Sequence, residues 1–364
     1  MFAPFYHSQS QTIGFKKLYL ISLRLYRSQL HSHTKLRCGD ALFVIAKSHP
    51  DWQLTVLVRS EDKAAVLSRH YPQIRVVLGD LDSSTLIEEE VKNADIVFDF
   101  ADSDHVASAR AIAKGAEQHT AERPLWLIHT SGTGILTVED DRAGTYGIKR
   151  TKVYNDWEDV GELINMPPDA LHRNVDEVIL RVGLQNPESV KVAIVCPPTI
   201  YGPGRGTGNK RSVQAYLLSA AVLKRKNGFT VGKGENIWHE VHVHDLSDLF
   251  LALGEAASDG GGAASWNEKG YYLAENGTYI GGDLQRAVAQ AAYERGFISS
   301  PDVEVLDAEQ TRAILEMGPY AWGSNSRGIS LRARRLLGWA PQKPRLLELV
   351  PEIVMVEAKE LMLA

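Results

Sequence analysis

Short apolar runs alternate with amphipathic stretches along most of the chain after residue 48. The runs are rich in β-branched residues and end at Gly, Pro, Asp or Ser, which is typical of buried strands. The stretches between them place apolar residues three and four positions apart, which predicts helices. This alternation predicts an α/β fold with a parallel, doubly wound sheet. The predicted strands are 54–58, 76–78, 96–100, 125–128 and 192–195, and the predicted helices include 64–70, 84–92, 105–118 and 168–182.

The stretch from residue 191 to 206, KVAIVCPPTIYGPGRG, organises the rest of the chain. Its apolar first half predicts a buried strand, which Pro197 and Pro198 end because proline cannot donate a hydrogen bond to a sheet ladder. Its second half, rich in Gly and Pro around Tyr201, predicts a loop. Ligands bind beyond the carboxyl ends of parallel strands, so we expect this loop to form a wall of a binding site.

Composition narrows the function classes. A chain of 364 residues with 44% hydrophobic and 23% charged side chains is long enough for one large or two moderate cores, as in an ordinary globular enzyme. No apolar run is long enough to span a bilayer, so we expect no membrane partner. Two cysteines, Cys38 and Cys196, do not suggest a disulfide framework, which favours a reducing, cytoplasmic location.

Charge is distributed unevenly. The first 39 residues contain six Lys or Arg and no acid, so the net charge of −5 for the whole chain becomes −11 beyond them. The chain beyond residue 39 is therefore acidic, which does not favour nucleic acid as a partner. Residues 1–38 have the composition of a mitochondrial transit peptide, or they are not the natural start of the domain; in the first case the location would be mitochondrial.

The strand followed by PPTIYGPG resembles the late strand and Y-G-P-G loop of the extended short-chain dehydrogenase/reductases, the NAD-dependent epimerase/dehydratase type. The segment at 129–134 resembles the T-S-S segment of that family, and 337–341 resembles its L-G-W-x-P ending. The resemblance covers residues 39 to about 350. It implies a Rossmann domain over 39–205, with strand returns near 239–245 and 270–274, and a smaller α/β substrate domain over most of 206–364.

Two motifs of the family are absent. Of the glycine loop that should precede the first helix only Gly39 remains, which a mis-joined gene model or a divergent paralogue would explain, the former somewhat better. Glycine lets backbone amides approach a pyrophosphate closely, so we expect weak NAD(P) binding. We also expect residues 1 to about 35 to dock poorly. The Tyr-x-x-x-Lys pair is missing as well.

The resemblance implies NADP or NAD as cofactor. Arg59 would favour the extra phosphate of NADP, or it is a solvated arginine at a strand end. Asp80 would contact the adenine amino group, or it is a turn aspartate. Ala101 would close on the adenine ribose. The remaining positions implied by the resemblance are Gly39, Leu81, Pro198, Thr199 and Ile200 for the cofactor, and Tyr201 and Arg205 for the substrate.

For the chemistry, the resemblance implies that the hydroxyls of Ser131 and Thr133 hold the reacting substrate oxygen. The helix expected at 168–182 sets His172 and Asp176 where the family has its tyrosine and lysine. A histidine oriented by a carboxylate one helical turn away is a competent acid or base near neutral pH. The alternative is a surface His and Asp on an amphipathic helix. We expect no metal site.

Two function classes follow. The first is an NAD(P)-dependent oxidoreductase or epimerase-like enzyme that acts on a small carbonyl or hydroxyl compound. The second is a non-catalytic NAD(P)-binding regulator that reports redox state, like atypical members of the superfamily. The partner in the first case is a small-molecule substrate, and a homodimer is compatible with either.

Overall fold

The computed structural model describes residues 16–21 and 33–364. In the first part of the chain, β-branched runs form strands, the central ones of which are buried on both faces, and the amphipathic stretches form helices that cover them. These elements are β1 Lys17–Ile21, α1 His33–Ser48, β2 Gln53–Val58, α2 Glu61–His70, β3 Arg75–Leu78, α3 Ser84–Asn93, β4 Ile96–Asp99, α4 Val106–Ala116 and β5 Leu125–Thr130.

The middle of the chain is less regular. A 3₁₀ helix, Thr133–Thr137, follows β5 directly and leads through short elements to the long helix α7. The elements are α5 Val138–Ala143, β6 Tyr154–Asn155, α6 Val160–Leu163, α7 Arg173–Gln185, β7 Val190–Cys196, β8 Thr199–Tyr201 and α8 Gln214–Arg225.

The last part of the chain mixes short strands with longer helices. Its elements are β9 Gly228–Val231, β10 Ile237–His242, α9 Val243–Ser258, a 3₁₀ turn Asn267–Lys269, β11 Tyr271–Leu273, β12 Thr278–Ile280, α10 Gly281–Glu294, β13 Val303–Leu306, α11 Ala308–Ile314, α12 Gly318–Gly323, β14 Gly328–Ile329, α13 Arg332–Leu337 and α14 Leu346–Glu360. None of the helices in residues 16–21 and 33–364 combines the length and the apolar character needed to cross a membrane.

Seven parallel strands form the main sheet in the order β11-β7-β5-β4-β1-β2-β3. Each strand sends alternate side chains to opposite faces, so Ile128 of β5 joins one core and Leu127 joins the other. Helices α1 and α9 pack together on the first face, and α3, α4 and α7 on the second. The doubly wound α/β prediction is confirmed.

The position of β1 corrects one expectation. Lys17–Ile21 lies in the middle of the sheet, paired with β2 on one side and β4 on the other. Leu18 and Tyr19 are buried there. The expectation that residues 1 to about 35 dock poorly is therefore wrong for this strand. The segment 22–32, where a phosphate loop would lie, is outside the described residues.

A second group of elements builds a separate core beyond the sheet edge. Helices α8, α10 and α14 pack around it, together with the sheet β12-β10-β8 and the pair β13-β9. The predicted return near 270–274 is present, since β11 pairs with β7. The return near 239–245 does not join the main sheet. There β10 pairs with β8, because the chain leaves the main sheet at Pro197 and Pro198 and starts a new ladder at Thr199.

Candidate active site

A cavity of about 360 Å³ lies at the carboxyl ends of β4, β5 and β7. Its two sides come from different parts of the chain. We call the first the polar wall, formed by Ala101, Asp102, Ser103, Asp104, Ser131, Gly132, Thr133, Gly134, Leu171, His172, Pro197 and Pro198. We call the second the apolar wall, formed by Ile200, Val213, Gln214, Leu217, Trp238, Leu315, Met317, Tyr320, Ala321 and Trp322.

A buried ionic network lies behind the polar wall. The Ser131 hydroxyl donates to Asp176 Oδ2 at 2.9 Å. His129 Nδ1 lies 2.8 Å from Asp99 Oδ2, and its Nε2 lies 3.3 Å from Asp176 Oδ1 without hydrogen-bond geometry. All four residues are at most 4% exposed. Strands β4 and β5 and helix α7 thus bring Asp99, His129 and Asp176 into one line that ends at Ser131.

His129 carries a positive charge in this network. Burial alone would lower the pKa of its imidazole, but the two adjacent carboxylates, Asp176 and Asp99, favour the charged ring and raise that pKa to about 9. At neutral pH the ring is therefore a cation between two carboxylates. The network fixes Asp176 as the acceptor of the Ser131 proton, so the Ser131 oxygen is left to accept a hydrogen bond from a bound hydroxyl.

Thr133 presents a second hydroxyl to the polar wall. The residue is 1% exposed, and its Oγ1 has no hydrogen-bond partner within residues 16–21 and 33–364. A buried hydroxyl without a partner costs roughly 1–3 kcal/mol. Bound substrate or water at the cavity would satisfy it.

The structure separates His172 from Asp176, so the predicted pairing of the two is wrong. His172 is not inside the helix but precedes it, with a left-handed φ of 67°. Its Nδ1 lies 2.9 Å from Asp104 Oδ1 and 3.1 Å from Ser103 Oγ. Because a carboxylate only accepts, Nδ1 holds a proton, and Nε2 is the nitrogen that can exchange one.

Nε2 of His172 faces the Gly132–Gly134 turn. A β-carbon added at Gly132 would lie 2.9 Å from this nitrogen, and one at Gly134 would lie 3.2 Å from it. Side chains at these two positions would push the imidazole away. The glycines therefore let His172 approach the segment that carries Thr133.

Tyr320 of the apolar wall is a residue that sequence reasoning missed. Its hydroxyl reaches Gly134, where an added β-carbon would collide with it. Burial raises the pKa of Tyr320 well above its ordinary value, so the phenol stays protonated and can donate a hydrogen bond. Nothing in the sequence pattern links residue 320 to the turn after β5. The only local signal is the cluster of two aromatic residues with Trp322.

Known proteins were compared with this chain. Residues 37–196 match a family described as NAD(P)H-binding. The chain is 36% identical over 330 residues to "Oxidase ucsJ" of Acremonium sp, a match that covers 89% of this chain and 95% of that protein. The protein belongs to the extended short-chain dehydrogenase/reductase superfamily. Its cofactor is NAD(P).

Solved structures agree on the fold of this superfamily member. The dTDP-glucose 4,6-dehydratase of Bacillus anthracis, solved with NAD, matches with a TM-score of 0.63 at 11% identity and covers 94% of this chain and 97% of its own. The UDP-glucose 4-epimerase of Thermotoga maritima, solved with UDP-glucose, gives 0.61 at 13% identity, with 95% and 99% covered.

The cofactor positions implied for this short-chain dehydrogenase/reductase lie at one edge of the sheet. Arg59 follows β2, Asp80 and Leu81 follow β3, and Ala101 follows β4. Asp80 accepts hydrogen bonds from Ser83 and from the amide of Asp82 in its own turn, as a turn aspartate does. Leu81 is buried in the core. The role of these residues toward the cofactor stays a prediction.

Three more predicted cofactor residues follow β7. Pro198 and Ile200 line the cavity, whereas Thr199 is buried outside its lining. The Thr199 hydroxyl lies 2.6 Å from Gln214 Oε1 and 2.9 Å from the hydroxyl of Tyr279. Thr199 therefore holds β8 in place, and its neighbours reach the cavity.

Both predicted substrate residues lie outside the lining of the cavity. Tyr201 is buried, and its hydroxyl donates to the carbonyl of Pro344 at 2.8 Å. Arg205 binds Asp40 through its guanidinium, with Nη2 at 2.6 Å from Oδ2, and through its backbone amide. Both are used in packing because the loop after β8 turns toward α1 and the carboxyl-terminal segment.

Gly39 lies within α1 and contacts this same loop. A β-carbon at Gly206 would collide with the carbonyl of Gly39. Burial would raise the pKa of Asp40, but the hydrogen bonds from Arg205 outweigh it and keep the pKa below its ordinary value. The helix and the loop are thus joined by a close backbone contact and a charged hydrogen-bond pair.

The residues present fit NAD(P) at this edge. Strand ends of the parallel sheet meet there, the cavity adjoins them, and the Thr133 hydroxyl has no partner in the part of the chain that the structure describes. Ala101, Pro198 and Ile200 would hold the end of the cofactor nearest the cavity.

Proposed function

We propose that this protein is an NAD(P)-dependent oxidoreductase that interconverts a carbonyl and a hydroxyl group on a small substrate. One observation supports this most strongly. The hydroxyls of Ser131 and Thr133 and the imidazole of His172 line one cavity at the carboxyl edge of an NAD(P)-binding sheet.

The roles follow from the contacts. Bound NAD(P) supplies the hydride chemistry. Thr133, whose Oγ1 has no partner among residues 16–21 and 33–364, donates a hydrogen bond to the reacting oxygen of the substrate. Ser131, whose proton goes to Asp176, accepts a hydrogen bond when that oxygen is a hydroxyl. His172 Nε2 moves the proton at that oxygen, and Asp104 keeps the ring oriented through Nδ1.

Ser131, Thr133 and His172 would together take the place of the missing Tyr-x-x-x-Lys pair. In the reduction direction His172 would give its Nε2 proton to the substrate oxygen, and in the oxidation direction it would take that proton back. The apolar wall limits water at the reacting carbon, which strengthens the hydrogen bonds to the oxygen.

The test uses single substitutions in the full chain. We expect His172→Ala to lower kcat with a broad aldehyde and ketone panel by about 10²- to 10⁴-fold, the usual contribution of a positioned acid or base. Ser131→Ala should reduce kcat in the same direction. Calorimetric titration with NADPH should give near-normal affinity for both variants.

His70→Ala is the matched control, because His70 is exposed at the end of α2 and far from the cavity lining. Tyr201→Phe should also have little effect, since its hydroxyl binds Pro344. Full activity of His172→Ala would remove the histidine from the mechanism. NADPH binding without turnover of any substrate would favour the redox-sensing regulator instead.

A further inference from the structure

We propose that the substrate is an uncharged, mostly apolar ring compound with one reacting oxygen at one end, and not a nucleotide sugar or another anion. This inference rests on the proposed function, because it concerns the same cavity. It is carried by the charges and the surfaces of the lining residues.

The charge of the lining is the first observation. No lysine or arginine of residues 16–21 and 33–364 lines the cavity, whereas Asp102 and Asp104 do. A phosphate or carboxylate is usually held by Arg, Lys or a helix amino terminus. An anion here would lose its hydration next to two carboxylates, which is unfavourable. Among residues 16–21 and 33–364, His172 is the one basic side chain of the lining, and Asp104 already faces it.

Two arginines that lie close in sequence to lining residues are already paired with buried acids. Arg205, the position expected to contact substrate, binds the buried carboxylate of Asp40. Arg211, two residues before the lining residue Val213, binds the buried carboxylate of Glu357 at 2.6 Å. Turning either guanidinium toward the cavity would leave a buried acid unpaired.

The apolar wall is the second observation. Trp238 and Tyr320 pack edge to face, with ring centres 5.8 Å apart. The indole nitrogen of Trp322 donates to the carbonyl of Gln214 at 3.2 Å, which holds the ring in the wall. Aromatic rings fixed in this way offer their faces and edges to another ring.

The only side-chain amide of the apolar wall is Gln214, and its hydrogen bonds are used within the protein. Its Oε1 accepts from Thr199 at 2.6 Å, and its Nε2 donates to the carbonyl of Ala321 at 2.7 Å. The other polar side-chain atoms of this wall are the Tyr320 hydroxyl and the indole nitrogens of Trp238 and Trp322, so a sugar with many hydroxyls would find fewer partners here than on the polar wall. A ring with few polar atoms would lose little by entering.

The two walls together set the orientation of the substrate. Ser131, Thr133 and His172 gather on the polar wall, so the reacting oxygen points there, and the ring lies against Trp238 and Tyr320. The cavity of about 360 Å³ is at the small end of ligand pockets, and the end of the cofactor against Ala101, Pro198 and Ile200 would take part of it, which leaves room only for a compact ring compound.

A solved structure of the same fold holds the kind of anionic ligand that this cavity does not fit. The Thermotoga maritima epimerase was solved with UDP-glucose, a molecule with two phosphates, and its fold is shared by this chain. The difference therefore lies in the side chains of the cavity and not in the fold.

Binding is tested with three probes on the full chain in the presence of NADP: 2-tetralone, the same bicyclic ketone with a carboxylate on its aromatic ring, and UDP-glucose. Calorimetry should show 2-tetralone binding at least about tenfold more tightly than either anion, as expected when no cation meets the charge. Equal or reversed affinities, or no binding of 2-tetralone, would overturn the inference.

Met317→Arg places a cation in the lining and should reverse the preference, weakening 2-tetralone and strengthening the carboxylated ketone by about tenfold each. Met362→Arg is the control, at a side chain that is 91% exposed. An unchanged preference in Met317→Arg would count against the inference. Turnover is measured separately: a ketone that binds but is not reduced argues against the proposed function and leaves the substrate class standing.

Discussion

The two walls of the cavity are built on different physical principles. The polar wall is held by buried charges, with the His129 cation between Asp99 and Asp176 and the Ser131 hydroxyl at the end of the line. The apolar wall is held by packing, because Trp322 and its neighbours belong to the separate core around α8, α10 and α14. One wall depends on protonation and exact charge balance, whereas the other depends on shape.

In the proposed function, the polar wall carries the chemistry and the apolar wall carries the substrate specificity. A buried ionic network seldom adds much stability over an apolar core of the same shape, but the loss of one member is costly. Its value here is position, because it fixes the direction of the Ser131 proton. Residues of the apolar wall can change in size without altering that network, so substrates can diverge while the chemistry is kept.

The largest effect should come from Asp176→Ala, which breaks the polar wall. It leaves the buried His129 with one carboxylate and Ser131 without an acceptor. We expect the free energy of unfolding to fall by about 3–5 kcal/mol in urea denaturation. Glu177→Ala, one residue along the same helix and half exposed, should lose less than about 1 kcal/mol. Similar losses of unfolding free energy for both variants would show that the buried network contributes no more to stability than an exposed residue of the same helix.

Gly134→Ala tests how closely the two walls approach each other. The new methyl group would meet the Tyr320 hydroxyl, and it would lie 2.9 Å from Leu171 Cδ2 and 3.2 Å from His172 Nε2. We expect kcat to fall by about 100-fold through displacement of the imidazole, with the fold retained as judged by circular dichroism. Gly161→Ala should keep normal turnover, because the added methyl group would meet nothing within 4 Å in residues 16–21 and 33–364 apart from its own chain neighbours and local helix backbone. Normal turnover of Gly134→Ala would mean that His172 can move without loss.

The smallest expected effect is a change of stability with pH. It distinguishes the two walls because His129, the titrating group, belongs to the network behind the polar wall. The pKa of His129 is about 9 in the folded protein, above its value of roughly 6.5 when unfolded, so its charge stabilises the fold most below that lower value. This contribution is lost as pH rises through about 9. We expect the free energy of unfolding to fall by about 2 kcal/mol between about pH 7 and 9.5. Titration of His129 by NMR near pH 6.5 instead would contradict the cationic network.

Most of the fold could be predicted from the chain because each element has its own local period. Strand 125–128 and helix 84–92 were both recognisable from apolar spacing, and the structure has them as Leu125–Thr130 and Ser84–Asn93. The strand Lys17–Ile21 was not predicted. A five-residue run next to a basic segment has the composition of a targeting peptide, and its two partner strands come much later in the chain.

The candidate site was predicted only in part. Ser131 and Thr133 follow a strand, so their place at the sheet edge could be inferred from sequence order. The pairing of His172 with Asp176 assumed helical geometry four residues apart, but the left-handed backbone at His172 removes that geometry. Asp99 and His129 look like ordinary strand residues, and only the adjacency of β4 and β5 brings them together.

The central position of Lys17–Ile21 also bears on how the protein can be handled. Strands β2 and β4 are neighbours only through β1, so its loss would leave two bare strand edges in the middle of the main sheet. Unpaired edges of this kind template pairing between chains. Shortened versions that begin near Gly39 would therefore fail first by aggregation, before any change in cofactor affinity could be measured.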